Sequence, residues 1–335
     1  MTGTPDSFYR PELDTLRCGA FLLVFLHHAL PHSGWMLAGV ARAGALGVDL
    51  FFALSAYLIT EILLRERRSC GAIDIRAFYI RRILRIWPLY YFALLILVPA
   101  MSILPGEHMS WAYLASFAMF GGNWACAAWG YPPSSLALLW SVSIEEQFYL
   151  TWPWVVRMGV RKGMDHLRRI AYGMLAISSA ARVVLVMRDV QHPGIWCNTL
   201  ARLDPIAGGA LLACFLNGTI PKHSARARIL WIGFGAVLLI GSGAAGYNQG
   251  WPVLVTYPLA AAASVAIIFG TLGAQLSAGA CFGRISYGLY VFHAAVLRLV
   301  PSPILTLPLT IAVAALSYRY LETPFLRLKD RFERL

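Results

Sequence analysis

Arg17 and His28 stand eleven residues apart in an otherwise apolar stretch, RCGAFLLVFLHH, and both residue types can do chemistry. In a helix that spacing returns to one face after three turns, with a rise of about 16 Å. A guanidinium fork matches phosphate oxygens, and an imidazole titrates near neutral pH, where it serves as a general base or a nucleophile. Three more ionisable residues lie inside apolar segments: Asp49 in GVDLFFALS, Glu145 in LWSVSIEEQFYL and His293 in RISYGLYVFHAAVL. The helices that would carry them bring all three to a depth similar to that of His28, so four groups from four helices are expected to converge on one level. Charged residues at that depth are costly and by default mark a functional site. Each also has a plainer reading. A single histidine in an apolar helix is often a packing residue, and Asp49, beside Gly44, Ala45 and Gly47, could simply accept hydrogen bonds from a neighbouring helix. Tyr149, Tyr287, Tyr290 and Trp140 read more readily as packing or interfacial aromatics than as catalytic groups. Arg202 and Asp204 are expected to pair with each other.

The elements that must position these groups follow from composition. The chain has 335 residues, 59% hydrophobic and 13% charged, with a mean hydropathy of +0.63. That is too apolar for a soluble globular protein, so the expected class is an all-α polytopic membrane bundle. The formal charge of +12 does not point to nucleic acid, because the lysines and arginines collect in short loops between apolar segments, as topology requires. Spans of about 20 residues fall near positions 17–35, 44–64, 83–104, 136–156, 170–187, 200–216, 229–245, 253–272, 285–300 and 304–321. They make about ten transmembrane helices. Positions 111–120 are too short to span and suggest a re-entrant or interfacial segment. The basic loops RERRSCGAIDIRAFYIRR, VRMGVRKGMDHLRR and KHSARAR, and the tail RLKDRFER, then fall on one side. This puts both termini in the cytoplasm, with short tails at 1–16 and 323–335 around a single integral-membrane domain. Asp6, Glu12 and Asp14 argue against a cleaved signal peptide. Six cysteines show no metal-ligand spacing. Only Cys126 and Cys197 fall on the outer side, where a disulfide between them is permitted.

Six segments, in order along nearly the whole chain, carry a resemblance. Arg17-x10-His28, GVDLFFALSA from 47 to 56, FYIRRILRIWPLYY from 78 to 91, LWSVSIEEQFYLTWPW from 139 to 154, RISYGLYVFH from 284 to 293 and YRYLETP from 318 to 324 resemble the integral-membrane acyltransferase 3 family. Its members O-acylate cell-surface sugars, lipopolysaccharide, exopolysaccharide, lipo-chitooligosaccharides or macrolides on a bundle of about ten transmembrane helices, and some append an extracytoplasmic hydrolase-like domain, which is not expected here. The resemblance implies that His28 is the essential histidine and that the arginine cluster at Arg81, Arg82 and Arg85 is functional. The chain departs from the family at Ser55-Ala56, where Ser-Gly is usual, and at Ile80, where many relatives carry another arginine.

Residues and resemblance together imply a mechanism. Acetyl-CoA docks from the cytoplasm with its phosphates on Arg17, Arg82 and Arg85, and its thioester reaches toward His28. His28 acts as base on a sugar hydroxyl, or as an acyl-carrying nucleophile, oriented by Asp49 or Glu145. Ser55, Ser143 or Trp140 stabilises the oxyanion, and Asp14, Tyr149, His293 and Glu322 support the site. No metal and no nucleic acid is expected. The acceptor is a carbohydrate or glycolipid, met in a bacterial inner membrane. The competing readings are a transporter or flippase for a polar lipid or sugar, and O-acylation of a macrolide-type small molecule.

Overall fold

The computed structural model describes residues 10–30, 35–246 and 248–332, and every regular element among them is helical. Asp6 and the rest of 1–9, with 333–335, lie outside the described residues, and so does the 31–34 stretch at the end of the first expected span. In chain order the helices are α1 (Pro11–Ala29), α2 (Trp35–Ala45), α3 (Gly47–Cys70), α4 (Ile75–Phe92), α5 (Val98–Met101), α6 (Trp111–Ala118), α7 (Gly122–Trp129) and α8 (Trp140–Arg161). They continue with α9 (Met164–Met187), α10 (Leu203–Leu216), α11 (Ala225–Ala245), α12 (Val253–Thr271), α13 (Ala280–Arg284), α14 (Ser286–Leu299), α15 (Pro303–Ser317) and α16 (Thr323–Lys329).

Six continuous helical runs are long and apolar enough to cross a membrane: Ala41–Cys70, Ile75–Met101, Met164–Met187, Ala225–Ala245, Val253–Thr271 and Pro303–Lys329. The expected first, fourth, sixth and ninth spans correspond to α1, α8, α10 and α14, which are short or carry charge. α10 and α14 have 14 residues each, whereas α1 and α8 carry the candidate site residues Asp14, Arg17 and Glu145 among their charges. α1 also starts earlier than expected. Pro11 occupies a first-turn position, where its missing N–H costs nothing, and Leu13 and Asp14 are already buried, so 11–16 is helix and not tail.

The run containing α3 forms the axis of the bundle: 83% of its apolar window is buried, against 17% for the peripheral run of α9. α3 packs on α1, α8, α10 and α12. Small residues let these backbones meet, as in membrane helix pairs generally. A Cβ on Gly209 of α10 would overlap the Ala53 carbonyl of α3, and one on Gly44 of α2 would overlap the Leu23 carbonyl of α1. Two five-residue π-helical segments interrupt the outer runs, Ala93–Leu97 below Pro88 and Tyr318–Glu322 after α15. Cys126 and Cys197 are free, buried thiols.

Candidate active site

Two cavities enter the bundle from opposite ends. The first lies at the end where α1 and α4 begin and α3 finishes. Arg17, Ser55, Arg82, Arg85, Glu145 and Tyr149 line it together with apolar side chains of α3 and α8. Helical spacing aims each contribution. Arg82 and Arg85 are three apart on α4, and Ser141, Glu145 and Tyr149 follow at intervals of four on α8, so each set shares a face. Arg17 is held by Asp14 at 2.6 Å one turn before it. Arg82 lies over the rings of Phe78 and Tyr149, at 5.6 and 5.9 Å, and its Nε is buried without a hydrogen-bond partner among the described residues. The Tyr149 hydroxyl donates to Glu145 at 3.2 Å and makes a short hydrogen bond with Ser55. Arg81 turns away, to Glu66 at 3.2 Å and to the Phe332 carbonyl at 2.8 Å. Of the arginine cluster, then, Arg82 and Arg85 face the cavity and Arg81 ties α4 to its neighbours. Glu322 is buried in the second π-helical segment, accepts from Ser317 at 3.3 Å and lies within electrostatic reach of Arg85. This arginine cavity is narrow, with a volume of about 110 Å³.

The second cavity is wider, about 500 Å³. His27, His28, Tyr131, Trp140, His192 and Trp196 surround it, with Ser134, Ser135 and Asn248 at its polar edge. No Asp, Glu, Lys or Arg is among the described residues that line it. The indoles of Trp140 and Trp196 stand 5.9 Å apart. Tyr131 lies in the loop before α8, and burial with the nearby Cys197 and Cys126 thiols pushes its phenol well above the usual range, so it stays a neutral hydroxyl.

His28 opens on this aromatic cavity beside His27, and His293 of α14 meets His28 from the other side of the contact. Their rings are 5.0 Å apart, with His28 Nδ1 3.2 Å from His293 Nε2 and 3.0 Å from the Val24 carbonyl. The tautomers follow from the partners. His293 Nδ1 lies 2.7 Å from the Tyr290 carbonyl, which only accepts, so His293 carries its proton there and presents Nε2 as an acceptor. His28 then carries its proton on Nδ1, and Nε2 is its basic nitrogen. Asp49 and Glu145 were expected to orient His28, and neither does. Glu145 belongs to the arginine cavity. Asp49 is fully buried and accepts from Arg202 at 3.0 Å, while Arg182 pairs with Asp204. The expected Arg202 to Asp204 pair does not form because residues two apart do not face each other on a helix; Arg202 instead crosses to α3, its guanidinium 4.1 Å from the Trp196 ring. Ser143 is buried outside both cavities.

Sequence reasoning passed over the residues at which the cavities meet. Tyr290 and Val48 line both. The Tyr290 hydroxyl lies 2.7 Å from Ser141 Oγ and 3.1 Å from the Leu138 carbonyl. Tyr290 precedes His293 by three and Ser141 precedes Glu145 by four, spacings that place each beside a flagged residue. Among the described residues no cluster of three His, Cys, Asp or Glu could hold a metal.

A family model described as an acyltransferase domain, acyltransferase 3, matches residues 10–318. The chain belongs to the acyltransferase 3 family. A peptidoglycan O-acetyltransferase of Listeria monocytogenes is 27% identical over 94% of this chain and 56% of its own length. A putative O-acetyltransferase of Staphylococcus aureus is 28% identical over 95% of this chain and 57% of its own. A putative peptidoglycan O-acetyltransferase of Bacillus subtilis is 34% identical over 56% of this chain and 29% of its own. The chain therefore spans a little over half the length of the first two relatives. No solved structure matches it.

Proposed function

We propose that the protein is a membrane O-acetyltransferase that takes an acetyl group from acetyl-CoA at the cytoplasmic face and transfers it to a hydroxyl of a cell-wall carbohydrate at the outer face. In this reading α1, α8, α10 and α14 cross the membrane with the six apolar runs, giving ten spans, both termini inside and a bacterial inner-membrane location. One observation carries it: a narrow cavity with three guanidinium groups and a wide aromatic cavity containing His28 enter from opposite ends and meet at Tyr290. A polyanionic, elongated donor suits the first, because guanidinium forks bind phosphate bidentately and Arg82 has a buried donor to spare. A neutral ring with many hydroxyls suits the second, whose indoles offer flat apolar faces and whose edge is uncharged. The rise of about 16 Å from Arg17 to His28 matches the reach of an extended pantetheine arm.

The proton steps follow from the tautomer. The acceptor hydroxyl gives its proton to His28 Nε2 as its oxygen bonds to the thioester carbonyl carbon. His293 Nε2 accepts from His28 Nδ1–H and so stabilises the imidazolium that forms. When the tetrahedral intermediate collapses, the carbon–sulfur bond breaks and His28 returns the proton to the departing thiolate. Such a base contributes about 10²- to 10⁴-fold. The test uses membranes containing the protein at matched levels, acetyl-labelled acetyl-CoA and purified peptidoglycan fragments. Label released from the glycan by mild base supports the reading, and its loss in His28→Ala assigns the base. Movement of unmodified sugar or lipid without any donor would support transport instead, and undiminished transfer by His28→Ala would refute the assignment.

A further inference from the structure

The two cavities approach each other but share only Val48 and Tyr290 as walls. At that contact the Tyr290 hydroxyl lies 2.7 Å from Ser141 Oγ, and the Leu138 carbonyl is within reach of both, at 3.1 and 3.2 Å, so one hydroxyl donates to the other and that one donates to the carbonyl. Ser141 lines the arginine cavity and Leu138 the aromatic cavity, so this cluster lies across the path between them. Tyr290 is braced on both sides, by Phe51 with ring centroids 6.0 Å apart and by His293 at 5.7 Å. Its own carbonyl receives the Nδ1–H of His293, so the residue that closes the path also anchors the partner of His28.

We propose that the Tyr290 and Ser141 hydroxyls form a septum between donor and acceptor cavities, and that it must part for an acyl group to reach His28. The physical consequence is twofold. While the septum is closed, water from the wide cavity is kept from the thioester, which limits hydrolysis. The closed end of the narrow cavity also restricts the acyl group to a short one, because a longer chain would have to occupy the volume of the Tyr290 ring. When the acyl group arrives, the hydroxyl that donates to the Leu138 carbonyl can exchange it for the developing oxyanion, which makes the septum a source of a transition-state hydrogen bond. This inference rests on the donor and acceptor reading for its chemistry, but the septum itself can be tested without any donor.

The test uses a full-length protein whose six cysteines are replaced, carrying Leu58→Cys in the arginine cavity or Gln191→Cys on the loop of His192. A small charged methanethiosulfonate is applied to each face of the membrane in turn, and Gln191→Cys identifies the face that reaches the aromatic cavity. From that face Leu58→Cys is expected to react at least 10-fold more slowly than Gln191→Cys, and to speed up at least 10-fold when Tyr290→Ala is added. Tyr290→Phe, which keeps the ring and loses the hydroxyl, is expected to give an intermediate rate, and reaction from the opposite face reports that each variant is folded. Fast labelling of Leu58→Cys with Tyr290 intact, or continued protection in both folded Tyr290 variants, overturns the septum. A second arm offers acetyl-CoA and butyryl-CoA: Tyr290→Ala is expected to narrow the preference for acetyl at least 10-fold. Absence of transfer from either donor alongside the expected labelling pattern would retain the septum and reject the acyltransferase reading.

Discussion

Replacing His293 by phenylalanine separates the base from its support. The ring is fully buried and close in shape to Phe, so the substitution leaves the volume nearly unchanged and removes two hydrogen bonds: to His28 at 3.2 Å and to the Tyr290 carbonyl at 2.7 Å. His28 keeps the Val24 carbonyl at 3.0 Å, so its tautomer survives. The loss falls on the state in which His28 is an imidazolium, because a hydrogen bond to a charged group contributes about 1.5–3 kcal/mol. At 1.36 kcal/mol per decade that is about 10- to 150-fold in kcat, with KM for both substrates within about twofold. The assay is initial-rate transfer of labelled acetyl in membranes, for His293→Phe, His28→Ala and the pair. The double variant should be no slower than His28→Ala alone, since His293 acts only through His28. A His293→Phe enzyme with unchanged kcat, or losses that multiply in the double variant, would refute the dyad.

Arg82→Ala should raise KM for acetyl-CoA by about 10- to 150-fold with kcat little changed, from the same energy of a charge-assisted contact, and Arg82→Lys should recover only part because it lacks the fork; steady-state kinetics over a donor range checks both. Asp49→Ala leaves the Arg202 guanidinium buried and unpaired, a cost of about 3–5 kcal/mol, so thermal unfolding in detergent should show a large loss of stability that Asp49→Leu with Arg202→Leu substantially restores; a stable, folded but inactive Asp49→Ala would instead return Asp49 to the catalytic set. Trp140→Ala should raise KM for the glycan acceptor by about 2- to 10-fold, as expected for losing one aromatic contact, and leave donor KM unchanged.

The bundle was legible in the sequence where physics acts locally. Hydropathy finds the six long runs directly, and the single-face spacing of Arg17 and His28 survives because α1 is one uninterrupted helix. The same criterion fails at α1, α8, α10 and α14, where Glu12 with Asp14 and Arg17, Glu145 with Glu146, or simple shortness lowers the signal; there the ionisable residues themselves were the better guide. Position along each helix was legible, but how the helices face one another was not: Glu145 lies with Arg17 at the arginine cavity, away from His28. Asp49, Glu145 and His293 were singled out as ionisable groups in apolar segments, yet which faces which depends on how α3 rotates against α10, and Arg202 lies 153 residues from Asp49 in the chain. Close contact at Gly209 fixes that rotation, and no local pattern encodes it. Tyr290 was read as a packing or interfacial aromatic, the ordinary reading in an apolar helix; its place at the contact of the two cavities emerges only once Ser141 and Leu138 are brought to it.

The central claim is that donor and acceptor are met from opposite faces of one bundle. Purified protein in proteoliposomes of a single orientation, with labelled acetyl-CoA confined to the face of Arg82 and Arg85 and peptidoglycan fragments to the face of His192 and Trp196, tests it directly. The account predicts labelled acetyl ester on the glycan, dependent on His28, with no donor leaking across. Transfer only when both substrates are supplied on the same face would contradict it.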